Sequence, residues 1–144
     1  MKLYKPVFFI ALITLALFGW GCDFKTPTEK NIVGAWAISP SVKEKLTHFD
    51  PSGAMFFNGD HTFTAQNLPS EMFGDLLKNE LSISGHGEWA LDRSKLRLHF
   101  KAVNKEQNAS VGTVLEVQEK TPPILFFYLG DPDEGRVVAF QKMG

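Results

Sequence analysis

The chain of 144 residues holds a single cysteine, Cys22. No intramolecular disulfide can form, so any fold it adopts is held by packing and hydrogen bonds alone. It also lacks an excess of either charge, with 15 Lys and Arg against 16 Asp and Glu. Without a basic surplus, or basic clusters set among aromatic platforms, nucleic acid is excluded as a partner. The longest apolar run, residues 7–18, is broken only by Thr14. It is shorter than the ~20 residues needed to cross the hydrocarbon core of a bilayer. Three motifs are missing as well: a Gly-x-Ser-x-Gly elbow, a His-Glu-x-x-His pair and a Gly-rich loop that opens a helix. Their absence removes the common sequence signatures of serine hydrolases, zinc hydrolases and nucleotide-binding enzymes.

What is present begins with a leader. Lys2 and Lys5 precede the apolar run, and the small residues Gly19 and Gly21 precede Cys22. This order predicts a secretory signal over residues 1–21. The segment Leu17-Phe18-Gly19-Trp20-Gly21-Cys22 resembles the bacterial lipobox, with Gly19 and Trp20 where that pattern carries an aliphatic and a small residue. The resemblance implies acylation of Cys22, and two or more acyl chains at about 0.8 kcal/mol per buried CH₂ would hold the chain on a membrane. The expected location is the extracytoplasmic face of a cell membrane. In a Gram-negative cell this is the periplasmic face, and Asp23 resembles the signal that retains some lipoproteins in the inner membrane. After residues 1–21 are removed, 13 basic and 16 acidic residues remain, a formal charge of −3.

Residues 22–31 are polar and without an apolar period, and read as a flexible tether. Residues 32–144 form the expected single domain. Short apolar runs alternate there with turn signals, the mark of antiparallel β structure. The strands predicted are 32–38, 54–57, 62–66, 85–91, 95–103, 111–119, 124–129 and 136–142. Asn58-Gly59-Asp60, Asp92-Arg93-Ser94 and Asp131-Pro132-Asp133-Glu134-Gly135 supply turn chemistry between them. Two short helices are predicted, over 39–49 from Ser39 and Pro40, and over 69–81 from Met72, Phe73, Leu76 and Leu77 at helical spacing. The clearest alternation puts Leu96, Leu98, Phe100 and Ala102 on one face of a strand. Arg93, Lys95, Arg97, His99 and Lys101 fall on the other.

The fold class expected is all-β, an up-and-down antiparallel barrel of about eight strands with one or two short helices. Gly34-Ala35-Trp36 at the first strand resembles the Gly-x-Trp motif of the lipocalins, and so implies a lipocalin-like (calycin-type) barrel. In that family the Trp plugs the barrel floor and an Arg near the last strand packs over it, which would give that place to Arg136. With Ser84-Gly85-His86-Gly87-Glu88-Trp89 and Gly130-Asp131-Pro132-Asp133, the latter half of the chain also resembles small bacterial proteins of no assigned activity.

Trp36, Phe63, Trp89, Phe100, Phe126 and Phe140 are the expected interior, and would line a ligand if the barrel has room for one. An eight-stranded barrel is just wide enough to be filled by side chains or to hold one small molecule. The basic stripe of Arg93, Lys95, Arg97 and Lys101 reads as a solvated strand face balanced by Glu88 and Glu116, or as a contact for acidic groups. Residues 124–129 are apolar on both faces, so something must cover the outer side, a helix of the chain or another chain. No metal, cofactor or catalytic residue is expected. The expected function is a membrane-anchored extracytoplasmic binding lipoprotein for a small apolar ligand or peptide. The alternative is a solid barrel that contacts an envelope partner; an enzyme ranks third.

Overall fold

Alternation along the strands finds its partners in a ring. The computed structural model describes residues 26–39, 52–77, 82–102 and 110–144. Residues 1–25, which hold the expected signal and Cys22, and residues 40–51 lie outside them. Eight strands follow one another: β1 (Gly34–Ile38), β2 (Ala54–Phe57), β3 (Thr62–Pro69), β4 (Ser82–Asp92), β5 (Lys95–Ala102), β6 (Val111–Gln118), β7 (Ile124–Tyr128) and β8 (Val137–Lys142). Each pairs antiparallel with the next, and β8 returns to β1, closing an up-and-down barrel.

Residues paired across antiparallel strands point to the same side, so the register sorts the side chains. Trp36, Met55 and Ala65 share one inward row. Phe57, Phe63, Gly87, Phe100 and Val111 make a second. A third runs through Val117, Leu125, Phe140 and Ile38. The rings meet edge to face, with Phe100 centred 4.8 Å from Phe63 and 5.0 Å from Phe73. Such pairs add about 0.5–1.5 kcal/mol each beyond the area they bury.

One end, the floor, is closed by α1 (Glu29–Ile32), a single helical turn that includes the last residues of the expected tether. Ile32 is buried, and its carbonyl accepts the indole N–H of Trp36 at 2.8 Å. Lys142 Nζ lies 5.9 Å from the centre of the Trp36 ring and donates to the Asn31 carbonyl at 2.9 Å. Partial burial lowers the pKa of this lysine. The cation at the floor is thus Lys142, not Arg136. Arg136 is exposed beside the β7–β8 turn at the opposite end, where its carbonyl accepts from the Leu129 amide. Lys142 is in register with Trp36 and continues the inward parity of Val138 and Phe140.

The opposite end, the mouth, is covered by two 3-10 turns over Ser70–Leu77, which break at Gly74 (φ 67°). They stand where a helix over 69–81 was expected; Pro69 closes β3, and residues 78–81 lie outside the described residues. Gly74 takes the left-handed backbone that an α-helix cannot contain. The turns dip inward. Met72 and Phe73 are buried, and the Met72 carbonyl accepts the Thr113 hydroxyl at 2.9 Å, so the polar group inside the barrel has a partner. Of the other expected helix only Ser39 is described. Its amide donates to the Ala139 carbonyl, prolonging the β1–β8 pairing.

Candidate interaction surface

Five of the six expected interior aromatics, Trp36, Phe63, Trp89, Phe100 and Phe140, point inward and are buried. Phe126 does not. It pairs with Glu116 and Ala139, which face out, while its neighbour Leu125 pairs with Val117 and Phe140, which face in. The interior also takes Phe57, Met55, Met72 and Phe73. Among the described residues, aromatic and thioether side chains thus make up much of the barrel's lining.

The Phe126 side chain stands on the outer wall, 5.3 Å from the ring of Tyr128 and edge-on to it. Tyr128 is 40% exposed and Val114, on the adjacent strand, 41%. Among the described residues no helix lies over this part of β6 and β7. A shallow groove of about 340 Å³ runs here between Lys95, Arg97, Val114, Glu116, Phe126 and Tyr128. A second groove, of about 650 Å³, continues it from Arg97 and Val114 towards Glu88, His99 and Gly112. Gly112 and Ala90 leave the floor of this second groove low, because neither carries a large side chain.

The basic stripe is shorter than the sequence suggests. Arg93 leaves it, taking a left-handed conformation (φ 56°) in the β4–β5 turn. Lys95, Arg97, His99 and Lys101 remain in one outward row on β5. Lys101 bonds the Glu88 carboxylate across the strands, and Arg97 lies 3.4 Å from Asp92, a partner the sequence did not suggest. His99 Nε2 is 2.7 Å from the Ser110 hydroxyl. Lys95 is in register with Glu116, yet among the described residues neither forms an ion pair. Both exposed pairs contribute little to stability, since water screens them.

The hydrogen bond and charge of Lys101 hold the Glu88 carboxyl below the usual glutamate range. A carboxyl with a depressed folded pKa supplies its stabilisation above the unfolded pKa and loses it as pH falls through the folded one. An NMR titration of Glu88 should therefore show a midpoint below that of free glutamate. Lys101→Met should return the midpoint to the ordinary value, and an unchanged midpoint would show that the pair does not form in solution.

At the floor, His61 Nε2 lies 3.1 Å from the Glu29 carboxylate and its ring meets Trp89 edge-on at 4.8 Å. His61 is in the left-handed region (φ 65°), so the β2–β3 turn takes its positive φ one residue after Asn58-Gly59-Asp60. The Asp60 carboxylate receives the Thr62 hydroxyl at 2.6 Å and amide at 3.0 Å, which lowers its pKa. Among the described residues no three His, Cys, Asp or Glu side chains converge as a metal site would require.

In comparison with protein-family models, curated proteins and solved structures, no significant match was found for the chain.

Proposed function

We propose that the protein is a non-catalytic interaction module with a lipocalin-like barrel, tethered by acylated Cys22 to the extracytoplasmic face of a cell membrane. It works through its outer wall rather than through a ligand held inside. One observation carries the choice: Val114, Phe126 and Tyr128 are turned outward together, while the described interior is lined with the chain's own rings. Exposed apolar groups gathered on one face mark contact sites, whereas apolar residues scattered singly do not. The lipocalin likeness is supported by the buried Trp36 beneath a cation at the floor. For the tether, the support is the leader sequence and the small residue before the only cysteine.

Cells expressing the chain and fed an alkyne fatty acid should carry the label on the wild-type protein and none on Cys22→Ala. A wild-type chain without label would refute the tether. Native mass spectrometry of the protein taken from its own cells should give the mass of chain plus acyl groups. A small molecule retained in that spectrum would move the function from the wall to the mouth.

A further inference from the structure

We propose that the outward row of Met143, Ala35 and Phe56, at the floor end of β8, β1 and β2, enters the headgroup layer of the bilayer that holds the anchor. The inference rests on the tethered-module reading and assigns the face that meets lipid.

Register sets this row. Ala35 pairs with Phe56, and the Met143 amide donates to the Ala35 carbonyl at 2.8 Å, one step beyond the pairing of Lys142 with Trp36. Trp36 and Lys142 face in, so their neighbours Ala35 and Met143 face out. Phe56 is 47% exposed and Met143 53%. All three lie beside the point where α1 leads into β1.

The surroundings of the row carry no charge. Thr64 continues it on β3, and the next row towards the mouth is Gln141, Ala37, Ala54 and Gln66. Across the ring, the outward positions of β4, β5 and β6 hold Glu88, Lys95, Arg97, His99, Lys101 and Glu116. Ionised groups are costly to take out of water, so the uncharged side is the one that can sink into lipid. An exposed ring and thioether among neutral neighbours have the chemistry of an interfacial anchor, whose apolar face sits at the headgroup–acyl boundary. Lys30 on α1 adds an exposed cation at this end, and the adjacent Glu29 carboxylate is engaged by His61.

Chain length brings the row and the membrane together. Only six residues lie between Cys22 and Glu29. Even fully extended, they hold the floor within about 25 Å of an acylated Cys22. A barrel leaning on this rim keeps the β6–β7 wall clear of lipid and open to a partner.

The test uses the full-length chain, acylated in cells and reconstituted into vesicles of phosphatidylcholine and phosphatidylglycerol. Acylation of Cys22 leaves an introduced thiol as the only one free to take a fluorescent label. Label on Ala35→Cys, inside the row, should be quenched by lipids spin-labelled on their acyl chains. Label on Ala90→Cys, outward on β4, should be quenched about threefold less or not at all. Phe56→Glu on the Ala35→Cys background should abolish the difference, with an unchanged far-UV spectrum. The proposal is overturned by equal quenching at the two sites, or by a Phe56→Glu variant quenched as before. In cells, a photo-crosslinker on Ala35→Cys should capture lipid. A product of twice the chain mass, or one joined to another protein, would give the row to that partner and overturn the lipid contact. The intact mass of each sample reads the tether separately: acylated chains without quenching sink the contact alone, and unacylated chains sink the tether reading.

Discussion

Replacing Trp36 by alanine is expected to remove about 3–5 kcal/mol of stability, the usual cost of truncating a large buried ring. Domains of this size are stable by only about 5–15 kcal/mol, so the variant would be close to unfolding. The effect is large because Trp36 joins three parts of the floor. Its indole N–H holds the last carbonyl of α1, its face carries Lys142 from β8, and it shares the inward row with Met55 of β2. Trp36→Phe separates these roles. It keeps a ring in the core but leaves the Ile32 carbonyl without its donor, at about 1–3 kcal/mol. Urea unfolding followed by far-UV circular dichroism gives both values. A loss under about 1 kcal/mol for Trp36→Ala would mean that the floor is not packed around this side chain.

A single added methyl should be nearly as damaging at Gly87. This glycine stands in the inward row between Phe63 and Phe100, beside the register shift that separates His86 from Gly87. A Cβ there would lie 2.0 Å from the His99 carbonyl oxygen and 2.8 Å from its carbon. Those atoms belong to the neighbouring strand's backbone, which cannot move without breaking the ladder. Gly87→Ala is therefore expected to cost upwards of about 3 kcal/mol, at the high end of overpacking. Gly112 is the internal comparison. It sits one strand away, opposite His99, and a Cβ would meet only the Leu98 carbonyl oxygen at 3.6 Å, an ordinary contact. Gly112→Ala should change stability by no more than about 0.5 kcal/mol. Similar urea midpoints for the two variants would contradict the close approach of β4 and β5.

The strands were legible because most of them bury one face only. On β5 every second residue is apolar from Leu96 to Phe100, and the structure turns those residues in and Lys95, Arg97 and His99 out. The pattern loses its information where both faces are apolar. In β7, Ile124-Leu125-Phe126-Phe127-Tyr128 reads equally well in either parity, and only its pairing with Glu116 and Phe140 decides that Phe126 faces out. Parity could have found Lys142, two residues beyond Phe140. A rule borrowed from lipocalins pointed instead to Arg136, which the length of β8 keeps at the far end. Strand ends depended on backbone events with little sequence signal. β3 runs on to Pro69 because an irregularity between Ala65 and Leu68 absorbs a residue, with Asn67 at φ 51°. Over 69–81 the apolar spacing suited a helix, but Gly74 breaks the run into tighter turns. The outer wall was half legible: the apolar outer side of residues 124–129 was expected, but among the described residues no helix covers it, and its meeting with Lys95 and Glu116 in one groove was not expected.

The ring closes where Trp36, Ala37 and Ile38 of the first strand meet Lys142, Gln141 and Phe140 of the last. These are among the most distant residues of the described chain, and joining them is the most demanding search in its folding, since distant pairings repay their loop-closure entropy only once formed. A molecule emerging stepwise from a ribosome or a translocation pore cannot complete its hoop until the final segment is free. Until then it is an open ribbon with two bare margins. The same clasp that denies neighbours an edge afterwards thus keeps the chain pliant while it is being made.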